Sequence, residues 1–437
     1  MGFMDMFARK RKTEKKANNS LPTSLSIFAG GSKAGVHVDE VTAMQVSAIY
    51  ACVRVIAESF ATLPMHVHRH VDNGSEIIRD HHLYYLLHYA PNPDMTSFVF
   101  RETMMYNLVI HGNAYAQIIR DRGGRVIELH PLQPYKMRKY RDDNGKIYYE
   151  YSRHYDEFRN RQNASDSTGT IRLRSDEVMH IVGLSNNGLE GLLPIGLAKN
   201  AIGLAIAIEE YGAGFFRNGA TPSGVLEHPD SIREPEDVSA AWQAMYGGVE
   251  NSNKIAVLED GLQFKPISIQ NDNAQFLETR KYQTTEIARA MRVPPHMIGD
   301  LEKSSYNNIE QQALEFVKYT VQPWVERWEQ QMQMSLILPS EKTTHYIKFN
   351  MNAMMRGAYE DRMKGYQIGI NSGFLCPNDA RAFEELNLID SPAGNRFMVN
   401  GNMIGIEDVG KQWEGVKNNC EEILELLKHR NRTNPPS

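Results

Sequence analysis

The chain has 437 residues, 41 % of them hydrophobic and 23 % charged, which is ordinary globular usage with room for roughly two to four domains. A formal net charge of −5 argues against a protein that coats nucleic acid by phosphate neutralisation. Cys52, Cys376 and Cys420 lie far apart without CxxC spacing, which argues against a disulfide framework or a clustered zinc site, and no apolar run approaches the ~18 residues that span a bilayer.

Residues 1–40 mix a basic run, Arg9 to Lys16, with Asn, Ser and Gly, and read as a mobile arm. This arm is a solvated tail or a contact for neighbouring subunits or nucleic acid. Its apolar part precedes its basic part, the reverse of a secretory signal, and Met6 stands where a myristoylation motif needs Ser or Thr. The expectation is a soluble intracellular chain. Helical spacing of Val46, Ile49, Tyr50, Val53, Ile56, Ala57 and Phe60 predicts a helix over 42–63, with Thr42 as its cap. Residues 65–71 alternate like a strand. His66, His68 and His70 share one face of it, spaced ~7 Å apart, too far to chelate one ion easily. Helices are expected at 82–88 and 97–111. Two hairpins follow, 114–120 with 125–129 around Gly123-Gly124, and 135–141 with 146–151 around Asn144-Gly145. An exposed loop at 159–170 and strands at 171–174 and 178–182 complete an α+β region of about 190 residues.

A helix over 195–216 is rich in Ala and Gly, which suggests either close packing on a partner helix or a plain buried core helix. Residues 219–270 form a compact insert: a strand at 223–227, a capping box at 231–234 before a helix over 235–246, and strands at 254–258 and 264–269. An amphipathic helix at 274–292 stops at Pro294-Pro295. After the Ser304-Ser305-Tyr306-Asn307-Asn308 run, a second one carries Ile309, Ala313, Phe316, Val317, Val321, Trp324, Val325, Trp328 and Met332 on one stripe. Pro323 lies inside that stripe and predicts a kink. A strand at 345–351, short helices at 359–370 and 378–386, a loop at 390–406, a helix at 407–428 and a loose tail at 431–437 end the chain.

Catalytic signatures are missing. GxxxxGK[ST], GxSxG, HExxH and EF-hand patterns do not occur, and Gly30-Gly31-Ser32-Lys33 has the wrong spacing for a phosphate cradle. Glu209-Glu210 and Glu384-Glu385 are sequence neighbours that point apart on a helix, and His111, His130 and His180 read as structural histidines. No catalytic residue, cofactor or metal site is expected. A DNA-processing enzyme of the metal-dependent nuclease type stays open as the alternative. It would need carboxylates brought together from distant positions.

RVPPHMIGD followed by SSYNNIEQQ, together with HYAPNPDMTSFVFRETMMYNLVIHGNAYAQIIRD at 88–121, resembles the portal proteins of tailed bacteriophages, of the siphophage type. The resemblance covers roughly residues 40–405. It implies an α+β multidomain subunit that forms a ring, usually of twelve copies, at the unique capsid vertex. After the arm at 1–40 it implies a wing at 41–194, stem helices at 195–218 and 272–293 flanking an α/β clip at 219–271, and a tunnel loop at 294–308. The wing resumes at 309–352, followed by a helical crown at 353–430 and a tail at 431–437. It implies a conduit for double-stranded DNA in packaging and ejection, with docking sites for the terminase large subunit and a head–tail adaptor. Contacts with the major capsid protein and scaffold during procapsid nucleation are also implied, as is residence in the virion after assembly in the host cytoplasm. Lys303, Ser304, Ser305, Tyr306, Asn307 and Asn308 would face DNA from the tunnel loop. Arg280, Lys281, Arg289 and Arg292 would serve the stem as ring salt bridges or as a DNA-facing lining.

Overall fold

The computed structural model describes residues 31–72, 74–142, 144–152, 169–217, 224–229, 234–246, 257–258, 261–266, 273–301, 306–354, 359–384 and 386–398. The chain divides into two compact units, one ending at residue 354 and the other following it in sequence.

The first unit opens with α1 (Glu40–Gln45) and α2 (Ser47–Ala61). The single helix expected over 42–63 is interrupted at Val46, whose ψ of 114° is extended. Asp39, not Thr42, is the cap: its side chain accepts the Thr42 amide at 2.8 Å, while the Thr42 hydroxyl accepts the Asp39 amide. That reciprocal pair is a capping box built with Thr in the place of Glu. Residues just before it, assigned to the mobile arm by their composition, are packed. Val38 is in the core, Ser32 is buried, and the Lys33 amide donates to Asn200 Oδ1 at 3.1 Å.

β1 (Met65–Val71) pairs with β2 (Gly74–Ile77), followed by α3 (His82–His88) and α4 (Ser97–His111). β3 (Asn113–Arg120), β4 (Val126–Leu132), β5 (Met137–Arg141), β6 (Ile147–Ser152), β7 (Thr170–Arg174) and β8 (Val178–Val182) build two three-stranded antiparallel sheets, ordered β4-β3-β8 and β5-β6-β7. Both hairpin turns use one device. Asp121 Oδ1 accepts the amides of Gly123 and Arg125, and Asp142 Oδ1 those of Asn144 and Lys146. The glycine then adopts a φ of 82° at Gly124 and 78° at Gly145, where a side chain would be strained. Most of the loop expected at 159–170 lies outside the described residues.

α5 (Pro194–Leu197) and α6 (Lys199–Arg217) replace the single helix expected over 195–216, with Ala198 between them. β9 (Gly224–Glu227), α7 (Pro235–Tyr246) and β10 (Gln263–Pro266) follow, β9 and β10 pairing antiparallel. Of the strand expected at 254–258, only Val257 and Leu258 are described, and they are not in a strand. Then come α8 (Asn273–Met291), α9 (Tyr306–Phe316), a π-helical stretch (Val317–Val321), α10 (Gln322–Ser335) and β11 (His345–Phe349). The pattern predicts a kink at Pro323. The structure has Pro323 in the first turn of α10, entered through the π-helical stretch, a feature at which helices bend. The Gln322 amide reaches back five residues to the Val317 carbonyl. A widened turn makes room for a ring that has no N–H and crowds the carbonyl four residues before it.

β11 pairs with β1, Met65 opposite Phe349, and so ties the two ends of this unit together. Between them lies the core. Trp328 is fully buried, with ring centroids 5.0 Å from Phe60 and 6.5 Å from Phe100. α2 and α4 pack on each other through Cys52, Ile56, Phe60, Met104, Met105 and Leu108, all buried. A buried polar network closes the end of α4. Asn113 Oδ1 accepts the Gly191 amide at 2.8 Å and meets His180 Nε2 at 3.0 Å, and Tyr149 Oη meets His180 Nδ1 at 3.3 Å.

The second unit holds α11 (Tyr359–Asn371) and α12 (Pro377–Phe383). Arg362 pairs with Glu384 at 3.0 Å, and the Tyr366 hydroxyl donates to the same carboxylate at 2.9 Å. Asn378 fastens the following chain by donating to the Ile389 carbonyl and accepting the Ile389 amide. The helix expected at 407–428, Cys420 and the tail lie outside the described residues.

Candidate functional site

The site grows from α6 and α8. The last turns of α6 lie beside the first turns of α8, with the Tyr211 and Phe276 rings 6.1 Å apart. Gly212 lets the two come close, since a Cβ on it would sit 3.1 Å from the Phe276 ring. Gly203 serves a different neighbour: its Cβ would fall 2.2 Å from Ser32 Oγ, so that glycine receives the chain before α1, not the partner helix. α8 has two characters. Leu277, Arg280 and Tyr282 in its first half are exposed, whereas Ile287, Ala288 and Met291 in its second half join the core.

The β9–α7–β10 module lies between α6 and α8 in sequence. Trp242 stacks on Phe264 at 5.6 Å and 14°, with Tyr246 alongside at 4.6 Å, and no residue of α7 is buried. Lys265 and Glu227 form a cross-strand ion pair at 2.5 Å.

Of the stem cations, Arg289 pairs with Glu286 at 3.0 Å, both on the exposed side of α8. The carbonyls of Arg280 and Lys281 accept the hydroxyls of Thr284 and Thr285 at 3.2 Å. Arg292 is the one non-glycine residue with a positive φ among the described residues, at 56°. It closes α8 in a Schellman turn: its amide donates to the Arg289 carbonyl and the Val293 amide to that of Ala288. The Thr320 hydroxyl donates to the Arg292 carbonyl at 2.6 Å, pinning this turn to the π-helical stretch.

The segment expected as an open loop at 294–308 is more ordered than that. Pro295–Ile298 forms a 3-10 turn, Met297 and Ile298 pack on the core, and His296 Nδ1 lies 2.9 Å from Gln312 Oε1 of α9. Tyr306, Asn307 and Asn308 are the first turn of α9, not loop. The helix begins within the Asn-rich run because amide side chains are tolerated in a first turn, where backbone donors are unpaired. Lys303, Ser304 and Ser305 lie outside the described residues. Only residues 299–305 therefore separate the 3-10 turn from α9.

The three histidines weighed as structural each have partners. His111 faces Glu40 at 3.2 Å, His130 faces Glu128 at 2.7 Å, and His180 sits in the Asn113 network. Burial, and secondarily Lys139, holds His180 well below the ordinary histidine pKa. Glu40 is held below the usual carboxylate range, first by its hydrogen bond with His111 and then by that charge and the Tyr106 hydroxyl. The strand histidines stack on rings: His66 on Tyr84 and His88, His68 on Tyr346. Among the described residues one group of side chains has its donor atoms close enough to hold a metal, namely His81, His82 and Glu341. Sequence reasoning missed it because 260 positions separate His81 from Glu341. No described helix is long and apolar enough to cross a membrane.

Comparison with known proteins matches residues 47–385 to the family model described as phage portal protein. The chain is 31 % identical to the probable portal protein of Streptomyces phage phiC31, over 90 % of this chain and 86 % of that one. It is 30 % identical to the portal protein of Enterobacteria phage HK97, over 92 % of each. Its fold is similar to a chain in the neck of a native gene transfer agent particle computed with C12 symmetry, with a TM-score of 0.53, 21 % identity, and coverage of 79 % of this chain and 93 % of that one. A family model that matches most of the chain, and two portal relatives at 30–31 % identity over about nine-tenths of it, lead to one assignment: the chain belongs to the phage portal protein family.

Proposed function

We propose that this portal-family chain assembles into a twelve-membered ring at one capsid vertex, through which double-stranded DNA enters and leaves. The observation that supports the reading is the α6–α8 pair: two helices packed on each other through Tyr211 and Phe276, with the β9–α7–β10 module between them in sequence. Side by side around an axis, such pairs make a rigid tube, here the stem. The module is then the clip, which would dock the terminase large subunit and later the head–tail adaptor. The remaining α+β body is the wing, and the unit after residue 354 is the crown. Residues 299–305, with Lys303, Ser304 and Ser305, and the α9 turn with Tyr306, Asn307 and Asn308, would reach the channel.

A mildly acidic chain suits passage of DNA without adhesion. Translocation energy would come from the motor's ATP, and the portal itself is structural, not enzymatic. Capsid protein and scaffold would meet the ring during procapsid nucleation in the host cytoplasm. The test is the mass of the purified protein. Twelve copies of a 49.7 kDa chain give a closed ring of roughly 600 kDa with a central hole in negative stain. A monomer at every concentration and ionic strength would overturn the reading. So would a deletion of 302–305 that leaves packaged genome length unchanged, as far as the channel loop is concerned.

A further inference from the structure

We infer that His81, His82 and Glu341 form a binding site for a divalent transition metal of the zinc class, which staples the start of α3 to the turn before β11. Their donor atoms lie within 4.8 Å of one another. His81 Nε2 and Glu341 Oε2 are 3.3 Å apart. That is about the edge of a tetrahedron whose metal–ligand bonds are ~2.0 Å long. His82 Nε2 is buried without a hydrogen-bond partner among the described residues, although buried ring nitrogens ordinarily have one. A metal supplies that partner.

The backbone explains how two consecutive side chains converge. His81 is the extended N-cap of α3 (φ −68°, ψ 138°) and His82 is its first helical residue, so the two rings lie with centroids 4.3 Å apart. Glu341 is held as firmly. Its carbonyl accepts the amides of Thr344 and His345, and Gln333 Nε2 braces the same turn through the Lys342 and His345 carbonyls. Side-chain exposure is 6 % at His81 and 28 % at Glu341, so the group is shielded yet open on one side. Two neutral imidazoles and one carboxylate suit Zn2+, Co2+ or Ni2+ better than Mg2+ or Ca2+, and three protein ligands leave one position for water.

The present hydrogen bonds show what binding must displace. The Leu83 amide donates to His81 Nδ1, so Nε2 carries the ring proton and faces Glu341. Coordination through Nε2 moves that proton to Nδ1, with no net proton released from the neutral ring, and the Leu83 amide loses its acceptor. Asp121 and Arg125 of the β3–β4 turn also face His82, with opposing influence on its charge.

The test uses the full-length assembled protein, stripped with a chelator and titrated with Co2+. The expected result is one ion per subunit, visible d–d absorption of a tetrahedral centre, displacement by Zn2+, and a higher melting temperature with Zn2+. His82→Ala and Glu341→Gln should each weaken binding at least tenfold while ring mass and far-UV dichroism stay unchanged. His68→Ala, on the neighbouring strand, should bind as the unsubstituted protein does. Absence of binding at sub-millimolar Co2+, binding unaffected in both site variants, or binding lost in His68→Ala would each overturn the assignment.

Discussion

Single residues carry two clear consequences. Arg292 occupies the left-handed region where a Cβ costs ~1–2 kcal/mol, in a turn that glycine closes in most helices. Arg292→Gly is therefore expected to raise unfolding free energy by about 1 kcal/mol, read as a higher urea midpoint at unchanged slope. The same variant tests the stem role proposed for the Arg292 side chain: if that role holds, it should package less DNA. The buried histidines set a pH dependence. Burial first, then His88, His68 and Arg79, pushes His66 down to about 4, and burial likewise lowers His68, His82 and His180. These rings stay neutral in the fold but take protons in the unfolded chain below ~6.5. Stability is thus fully present above ~6.5 and falls with pH, for His66 until about 4. Urea midpoints should drop between pH 7.5 and 5, and His66→Phe, which keeps the stack on Tyr84, should flatten part of that slope. The chain pattern marked His180 as structural, but its partners come from other elements. His180 needs Asn113 and Tyr149, 67 and 31 positions away, to be satisfied at all.

Elements were readable where period and punctuation agree. α4 begins and ends where its spacing predicts, because Thr96 caps it and Gly112 follows it. The errors sit where one residue changes the backbone without changing hydrophobicity. Val46 and Ala198 interrupt helices that have continuous apolar stripes. Tyr306–Asn308 extends α9 because Asn and Tyr are tolerated in a first turn, where an amide side chain has unpaired backbone donors nearby. The α10 stripe was legible residue by residue, and its weight falls on Trp328, packed between Phe60, Phe100 and Phe349. Trp328→Ala should cost ~3–5 kcal/mol and loosen β11 along with α2, since both press on that ring. Thermal or urea unfolding checks this directly, and a cost under ~1 kcal/mol would mean that the cavity collapses. In the β9–α7–β10 module the described ring contacts are those of Trp242 with Tyr246 and Phe264.

At the scale of the whole molecule, the exposed apolar residues need an explanation that one subunit does not provide. Leu204 of α6 and Leu277 and Tyr282 of α8 are 39 %, 57 % and 56 % exposed, on the helices proposed as the stem. An exposed apolar patch is a natural place for a contact. In a ring, each such helix pair meets the next through a heterologous interface that closes after a fixed rotation. Exposed ion pairs such as Arg289–Glu286 contribute only ~0–1 kcal/mol each, so they set register better than they hold the ring. Burying the leucines and the tyrosine contributes ~1.5–3 kcal/mol per side chain, repeated at every interface. Leu204→Asp combined with Leu277→Asp should therefore leave the melting of the α+β body unchanged, since neither side chain reaches the core, yet shift the protein from ring to monomer. Light scattering after size-exclusion chromatography separates the outcomes. A variant that still assembles at micromolar concentration would place the ring contact elsewhere and remove the tube from the description of α6 and α8. A variant that assembles only when ionic strength is lowered would show that charge pairs, not apolar packing, had been the stronger term.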